Sequence, residues 1–195
     1  MNVAIIDYNA GNVQSVLFTM ERLGIQATLT ADHEQIQQAD KVIFPGVGEA
    51  NTTMNFIKER GLDKVIPALK QPVLGICLGM QLLCEYSEEN DTDCLGIIPQ
   101  KVLRFQPANG EKVPHMGWNQ VYHLQGALFD ESLEKKYTYF VHSYYVEKGD
   151  FTTALCDYVL PFSAALQKDN FYATQFHPEK SGYIGEAILK NFLKL

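Results

Sequence analysis

The first half of this 195-residue chain alternates short apolar runs with helical patterns. The segments VAII (3–6), KVIF (41–44) and PVLGI (72–76) are largely apolar, which is typical of strands buried on both faces. Apolar side chains recur at helical spacing between them, as they do over residues 13–23. This alternation predicts parallel strands that are covered by helices on both faces.

The second half of the chain is richer in β-type residues. Segments such as 137–146 and 162–167 predict added antiparallel strands, and 182–195 predicts a closing amphipathic helix. The acidic stretch 85–94 is interpreted as a solvated loop. We therefore predict an α/β three-layer fold with a central, mostly parallel sheet, in a single domain over residues 1–195.

Charge and cysteine content narrow the class of protein. With 23 acidic and 16 basic residues, the net charge of −7 argues against binding to nucleic acid or to an anionic membrane surface. No apolar stretch approaches the ~20 residues that cross a bilayer, and the N-terminus lacks the basic region of a signal peptide. The four cysteines show no CxxC spacing, so we expect no metal site and a cytoplasmic protein with reduced thiols.

A glycine-flanked cysteine follows the third predicted strand. Cys77 stands between Gly75 and Gly79, and glycines permit close backbone approach and unusual dihedral angles. The pattern resembles the strand–nucleophile–helix turn of G-x-S-x-G hydrolases, with sulfur in place of the hydroxyl. The positive end of a helix would favour the thiolate. A small cysteine of the core is the alternative, and this segment alone does not decide between them.

The segment QFHPEKS (175–181) places a histidine near a carboxylate. His177 and Glu179 are two residues apart, and Pro178 favours an extended backbone at His177, so we expect both side chains on one side of the chain. A neighbouring carboxylate fixes the tautomer and direction of a catalytic imidazole. Taken alone, such a pair is more often a surface contact. Together with Cys77, it predicts a cysteine nucleophile with its base and orienting acid.

The loop PGVG (45–48) directly follows the second predicted strand. Its backbone N–H groups are candidates for binding an oxyanion. A dinucleotide-binding fingerprint is disfavoured, because the third glycine of GxGxxG would fall at Asn51.

These segments resemble the class I (triad) glutamine amidotransferases, which have a flavodoxin-like three-layer fold. Within them, the chain is most similar to the family of glutaminase subunits of imidazole glycerol phosphate synthase. The similarity runs from end to end, and PGVG and PHMGWN favour this family over sisters such as the anthranilate synthase subunit. The matching segments are DYNAGN (7–12), PGVG, GICLGMQLL (75–83), PHMGWNQV (114–121), YFVHSYY (139–145) and QFHPEKS.

The resemblance implies a role for individual residues. Cys77 would be the nucleophile, His177 the general base and acid, and Glu179 the residue that orients His177. The backbone N–H groups of Val47 and Leu78 would form the oxyanion hole. The glutamine-binding residues would be Gly48, Gln81, Glu89, Ser143 and Tyr144, and the residues facing a partner or channel would be Asn12, Trp118 and Lys180.

The resemblance also implies a reaction and a partner. L-Glutamine would be hydrolysed to glutamate and ammonia through a thioester, without a metal or organic cofactor. Ammonia would pass within a heterodimer to the (β/α)8-barrel cyclase subunit of imidazole glycerol phosphate synthase, which would activate the glutaminase allosterically. The products would be imidazole glycerol phosphate and an aminoimidazole carboxamide ribotide, in histidine biosynthesis. A flavodoxin-like binding module with an inert core cysteine is the non-enzymatic alternative.

Overall fold

A mixed β-sheet forms the centre of the protein, and the computed structural model describes residues 1–8 and 13–195. The strands are β1 (Val3–Ile6), β2 (Ala27–Thr30), β3 (Lys41–Phe44), β4 (Val73–Ile76), β5 (Cys84–Ser87), β6 (Thr92–Asp93), β7 (Ile98–Arg104), β8 (His115–Gln120), β9 (Tyr137–His142), β10 (Tyr144–Val146), β11 (Thr152–Asp157), β12 (Pro161–Lys168) and β13 (Phe171–Thr174). The α-helices are α1 (Val13–Arg22), α2 (His33–Gln38), α3 (Ala50–Glu59), α4 (Leu62–Ala68), α5 (Leu78–Leu83) and α6 (Gly182–Lys194), with short 3-10 helices at Glu131–Leu133 and Pro178–Lys180.

The parallel half of the sheet has the strand order β2-β1-β3-β4-β13. Successive side chains of β1 point to opposite faces, so Val3 and Ile5 join one core cluster and Ala4 and Ile6 join another. The first cluster includes residues of α1 and α6, and the second includes residues of α2, α3, α4 and α5. The predicted three-layer α/β fold is therefore confirmed.

The sheet continues beyond β13 through antiparallel strands, as predicted. Strand β12 runs antiparallel to β13, and β10 and β7 follow it. Strand β5 joins β7 in parallel, β11 pairs with β12, and β8 and β9 form a separate antiparallel pair.

The prediction of a loop over residues 85–94 is wrong. Strands β5 and β6 pair antiparallel across it, with Tyr86 opposite Asp93. Ser87 and Thr92 are buried in this hairpin although they are polar, and such positions carry no apolar signal. The turn between the strands places Asn90 and Asp91 at positive φ, which these residue types tolerate better than most. The closing helix is predicted to reach Leu195, but α6 ends at Lys194 and Leu195 is exposed.

Three parallel strands end at the same edge of the sheet. Phe44 at the end of β3 lies opposite Gly75 of β4, and Ile76 of β4 lies opposite Thr174 of β13. The segments that follow β3, β4 and β13 therefore meet outside the carboxyl ends of the strands, the usual ligand position in open α/β sheets.

Gly79 allows α5 to pack directly against the end of β3. A Cβ atom at Gly79 would lie 1.9 Å from the carbonyl oxygen of Phe44, where no side chain can fit. This contact sets how closely the first turn of α5 approaches the PGVG loop.

We predict that Gly79→Ala destabilises the protein by about 3 kcal/mol, the upper end of the usual cost of overpacking, because the obstacle is backbone. The free energy of unfolding, measured by denaturant titration, checks this. Gly149→Ala is the matched control. A Cβ atom at Gly149 would first contact the side-chain amide of Gln100, which can move aside because it is flexible. Equal stability of the two variants would contradict the prediction.

Candidate active site

Cys77 occupies a strained turn between β4 and α5. Its φ of 53° and ψ of −109° are unusual for a residue with a side chain. Two backbone hydrogen bonds hold Cys77 in this conformation. The N–H of Cys77 donates to the carbonyl of Thr174 (2.7 Å), and the N–H of Gln81 donates to the carbonyl of Cys77 (3.2 Å). The side chain is nearly buried but lines a cavity, so the turn presents the sulfur to that cavity.

His177 and Glu179 form a buried pair, as the sequence predicts. Nδ1 of His177 lies 2.7 Å from Oε1 of Glu179, and both side chains are 1% exposed. The backbone of His177 is extended, as expected, and Pro178–Lys180 forms a 3-10 turn that contains Glu179. The N–H of Lys180 and the hydroxyl of Ser181 both donate to the carbonyl of His177 and close this turn.

The charge of His177 depends on its two neighbours. Burial alone would lower the pKa of the imidazole, but the nearby Cys77 and Glu179 outweigh it and raise that pKa well above its usual value. Cys77 interacts electrostatically with the ring. The buried Nε2 of His177 has no hydrogen-bond partner of acceptable geometry in the described part of the chain. The site therefore favours an imidazolium beside the cysteine.

A cavity of about 310 Å³ adjoins Cys77 and is large enough for an amino acid. The structure brings all the predicted oxyanion and glutamine-binding residues to its wall. Those residues are Val47, Gly48, Leu78, Gln81, Glu89, Ser143 and Tyr144, and the wall also contains Pro114, Val141 and His142, which the sequence analysis did not single out.

Glu89 brings a carboxylate from the β5–β6 turn to the cavity. One of its oxygens accepts a hydrogen bond from the backbone N–H of Ala50 at the start of α3 (2.8 Å). Burial and the neighbouring Glu49 raise the pKa of Glu89, while the Ala50 N–H opposes the shift. A cationic group in the cavity would favour the charged carboxylate.

The two backbone donors predicted for the oxyanion hole do not face the cavity together. The N–H of Leu78 donates to the carbonyl of Gly46 at 3.3 Å. The peptide bond between Gly46 and Val47 is trans, so the N–H of Val47 points in the opposite direction to the carbonyl of Gly46. Because that carbonyl faces Leu78, the N–H of Val47 points away from Leu78. The hydroxyl of Tyr8 donates to the preceding carbonyl, that of Pro45. In this conformation of the PGVG loop, the carbonyl of Gly46 accepts the hydrogen bond that the N–H of Leu78 could otherwise donate to an oxyanion.

A chain of side-chain hydrogen bonds runs beneath the cavity to the carbonyl of Tyr144. Nδ1 of His142 donates to that carbonyl (2.7 Å), so its Nε2 accepts from Nδ1 of His115 (3.0 Å). The amide of Asn119 then donates to Nε2 of His115 (3.3 Å). Burial lowers the pKa of His115 to about 4 and that of His142 to about 3, which keeps both rings neutral.

Gln175 connects Gln81 in the cavity wall to Cys77. Gln81 donates from Nε2 to the Tyr144 carbonyl (3.0 Å) and to Oε1 of Gln175 (2.9 Å). Nε2 of Gln175 lies 3.6 Å from the sulfur of Cys77. The sequence analysis missed Gln175. Its spacing of two residues from His177 was the available signal, since i and i+2 share one side of an extended segment.

Two of the three predicted partner-facing residues share one surface. Trp118 on β8 is 56% exposed, and its ring centroid lies 6.0 Å from that of Tyr139 on β9. The exposed Lys180 places Nζ 6.0 Å from the same Tyr139 ring. The third, Asn12, lies outside the described residues.

Metal and membrane features were also sought in residues 1–8 and 13–195. No group of three His, Cys, Asp or Glu residues there could hold a metal ion. None of the helices in these two ranges is long and apolar enough to span a bilayer.

Comparison with known proteins identifies the family. Residues 4–195 match the family Glutamine amidotransferase class-I. An imidazole glycerol phosphate synthase subunit HisH from Bacteroides fragilis is 60% identical over 100% of both chains. Proteins of the same name from Pasteurella multocida and Haemophilus influenzae are 47% and 46% identical, over at least 99% of this chain and 98% of theirs.

Solved structures share the fold at low sequence identity. A crystal structure of a glutamine amidotransferase is 19% identical, with a TM-score of 0.74 over 98% of this chain and 97% of that one. The structure of PurLQS from Thermotoga maritima is 14% identical, with a TM-score of 0.69 over 99% of this chain and 97% of that one. With relatives this similar over its whole length, the chain belongs to the class I glutamine amidotransferases and, among them, to the family of the imidazole glycerol phosphate synthase subunit HisH.

Proposed function

We propose that this chain is the glutaminase subunit of an imidazole glycerol phosphate synthase and releases ammonia from L-glutamine for a cyclase partner. The observation that carries the proposal is that Cys77 lines an amino-acid-sized cavity and interacts with the buried His177–Glu179 pair. The 60% identity to the Bacteroides fragilis protein over the full length supports the particular synthase.

Hydrolysis begins from a Cys77 thiolate and a His177 imidazolium, and the raised pKa of His177 favours the charged ring. The thiolate attacks the side-chain amide carbon of glutamine, and the carbonyl oxygen becomes an oxyanion. His177 gives its proton to the amide nitrogen, and the C–N bond breaks to release ammonia. The neutral imidazole then takes a proton from water, which attacks the γ-glutamyl thioester and releases glutamate.

The cavity wall suits an amino acid with a free ammonium group. The carboxylate of Glu89 would form an ion pair with the ammonium group of the substrate. This ion pair would stabilise the charged form of Glu89, which burial disfavours. Gln81 and the backbone at Gly48, Ser143 and Tyr144 would orient the rest of the substrate.

The oxyanion hole would need a rearrangement before catalysis. The Gly46 carbonyl occupies the Leu78 donor, so the Gly46–Val47 peptide must rotate before both N–H groups can face the oxyanion. We propose that the loaded cyclase drives this rotation, which would make glutaminase activity depend on the partner. Such coupling would prevent loss of ammonia to water.

The partner would be a (β/α)8-barrel cyclase subunit, bound as a heterodimer in the cytoplasm, with residues 1–195 acting as one domain. Trp118 and Lys180 would contact it, together with the exposed side chains of Met116 and Tyr137 on the two-stranded sheet of β8 and β9. The cyclase would combine the ammonia with its nucleotide substrate to form imidazole glycerol phosphate and an aminoimidazole carboxamide ribotide.

The complex should release glutamate quickly only when the cyclase and its nucleotide are both present. Cys77→Ala should abolish glutamine-dependent synthesis and leave ammonium-dependent synthesis intact, because it removes only the nucleophile. Assays of glutamate release and of the cyclase product check both statements. Cys84→Ala, which alters a thiol outside the cavity wall, should stay active. Loss of the ammonium-dependent reaction in Cys77→Ala would point to a structural role instead.

Glu179→Gln should lower glutaminase kcat by about 10³–10⁴, because an amide cannot fix the required imidazole tautomer or stabilise the imidazolium. The pKa of His177, followed by NMR, should fall, since Glu179 is one of the groups that raise it. Glu59→Gln on the exposed surface of α3 is the control. An unchanged pKa together with unchanged kcat would exclude Glu179 as the orienting residue.

Val47→Pro should abolish activation by the loaded cyclase, because proline has no N–H and restricts φ. We expect glutaminase activity about 10²–10³ lower than in the activated parent complex, the usual cost of losing one oxyanion donor. Val47→Ala keeps the N–H and should remain activatable. Circular dichroism and cyclase binding establish that the proline variant is folded. If that folded variant were stimulated like the parent, Val47 would not be the donor.

A further inference from the structure

We propose that Gln175 is a catalytic residue that donates a hydrogen bond to the Cys77 thiolate from its side-chain amide. The proposal rests on the proposed glutaminase function and adds a fourth side chain to the Cys77–His177–Glu179 set. Gln175 is fully buried, and its Nε2 lies 3.6 Å from the sulfur. It follows β13 directly, so the strand that leads to His177 also carries this contact.

The direction of the Gln175 amide follows from its neighbours. The Tyr144 carbonyl can only accept, so the atom of Gln81 that faces it at 3.0 Å must be the nitrogen. The same nitrogen faces Gln175 at 2.9 Å, so the Gln175 atom on that side must be the oxygen. The NH₂ group of Gln175 is therefore the part that faces Cys77.

The two protonation states of Cys77 have different partners. As a thiol, Cys77 can donate its hydrogen to the carbonyl of Val141, which lies 3.8 Å from the sulfur. As a thiolate it can donate nothing, and the Val141 carbonyl is then an unfavourable neighbour. The amide of Gln175 favours the thiolate, because a hydrogen bond to a charged acceptor is stronger than one to a neutral acceptor.

Gln175 also joins the nucleophile to the substrate pocket. Its oxygen holds Gln81 in the cavity wall while its nitrogen holds the sulfur. One rigid amide thus fixes the distance between a substrate-binding side chain and the attacking atom, which is the kind of positioning that lowers a reaction barrier.

The decisive experiment measures alkylation of Cys77 by iodoacetamide across a range of pH, in the full-length protein, with the modified cysteine identified by mass spectrometry. The other thiols interfere little, because burial raises the pKa of Cys94 to about 12 and raises those of Cys84 and Cys156 further. Gln175→Met keeps the length of the side chain and removes the donor. Gln106→Met, on the exposed surface, is the matched control.

In Gln175→Met we expect the pH midpoint of alkylation to rise by about one to two pH units, the usual effect of a hydrogen bond to a charged group. The rate at pH 7 should fall, while the plateau at high pH should not, because a less stabilised thiolate is a stronger nucleophile. Glutaminase kcat with the loaded cyclase should fall about 10- to 100-fold. Gln106→Met should match the parent in the pH midpoint and rates of alkylation and in glutaminase kcat.

Gln175→Glu serves as a second variant should the methionine variant fail to fold. It keeps the shape of the side chain and can donate to the sulfur only while its carboxyl group is protonated. Its alkylation rate should therefore fall below that of the parent as the carboxyl ionises. Circular dichroism and thermal melting verify that each variant is folded.

An unchanged alkylation profile in a folded Gln175 variant would overturn the proposal. A higher KM for glutamine, with unchanged kcat and an unchanged pH profile of alkylation, would also overturn it. Gln175 would then act only by positioning Gln81. These outcomes are distinct from failure of the proposed function. If the parent complex released no glutamate, that function would fall, and the alkylation profile would still decide whether Gln175 donates to Cys77.

Discussion

The parallel pairing of β4 with β13 is the interaction on which the site depends. It brings Ile76 opposite Thr174, so the residues that follow the two strands meet although they are 98 positions apart in sequence. The Cys77 N–H bond to the Thr174 carbonyl extends this pairing into the turn. Both strands are buried on both faces, and a slip by one residue would move every side chain to the wrong face. The register of the core thus sets which residues meet at the candidate active site.

The parts of the site that the sequence reveals are those with local causes. The buried strands are recognisable because their largely apolar runs leave no solvent face. Cys77 is recognisable because the glycines on either side permit its turn. Gly79 lies against the Phe44 backbone, and a side chain there would separate α5 from β3. His177 and Glu179 are close in the chain, so their contact needs no knowledge of the fold.

The parts that the sequence does not reveal depend on distant contacts or on a close balance between local conformations. Ser87 and Thr92 are polar, yet pairing between β5 and β6 buries them. The 3-10 turn at Glu179 forms because Ser181 and Lys180 donate to the His177 carbonyl, a local arrangement that competes closely with an extended one. The direction of the Gly46–Val47 peptide is set by its contact with Leu78, a residue that only the folded sheet brings near.

The polarity of the cavity wall follows from one backbone carbonyl. Because the oxygen of Tyr144 can only accept, it fixes which nitrogen of His142 carries hydrogen and which end of Gln81 faces it. Each of those groups then fixes the next, as far as Asn119 in one direction and Gln175 in the other. The rings of His115 and His142 transmit this order only while neutral, and their burial ensures that. The side chains of this hydrogen-bond chain therefore have a single consistent arrangement of donors and acceptors, set by a residue whose own side chain takes no part in it.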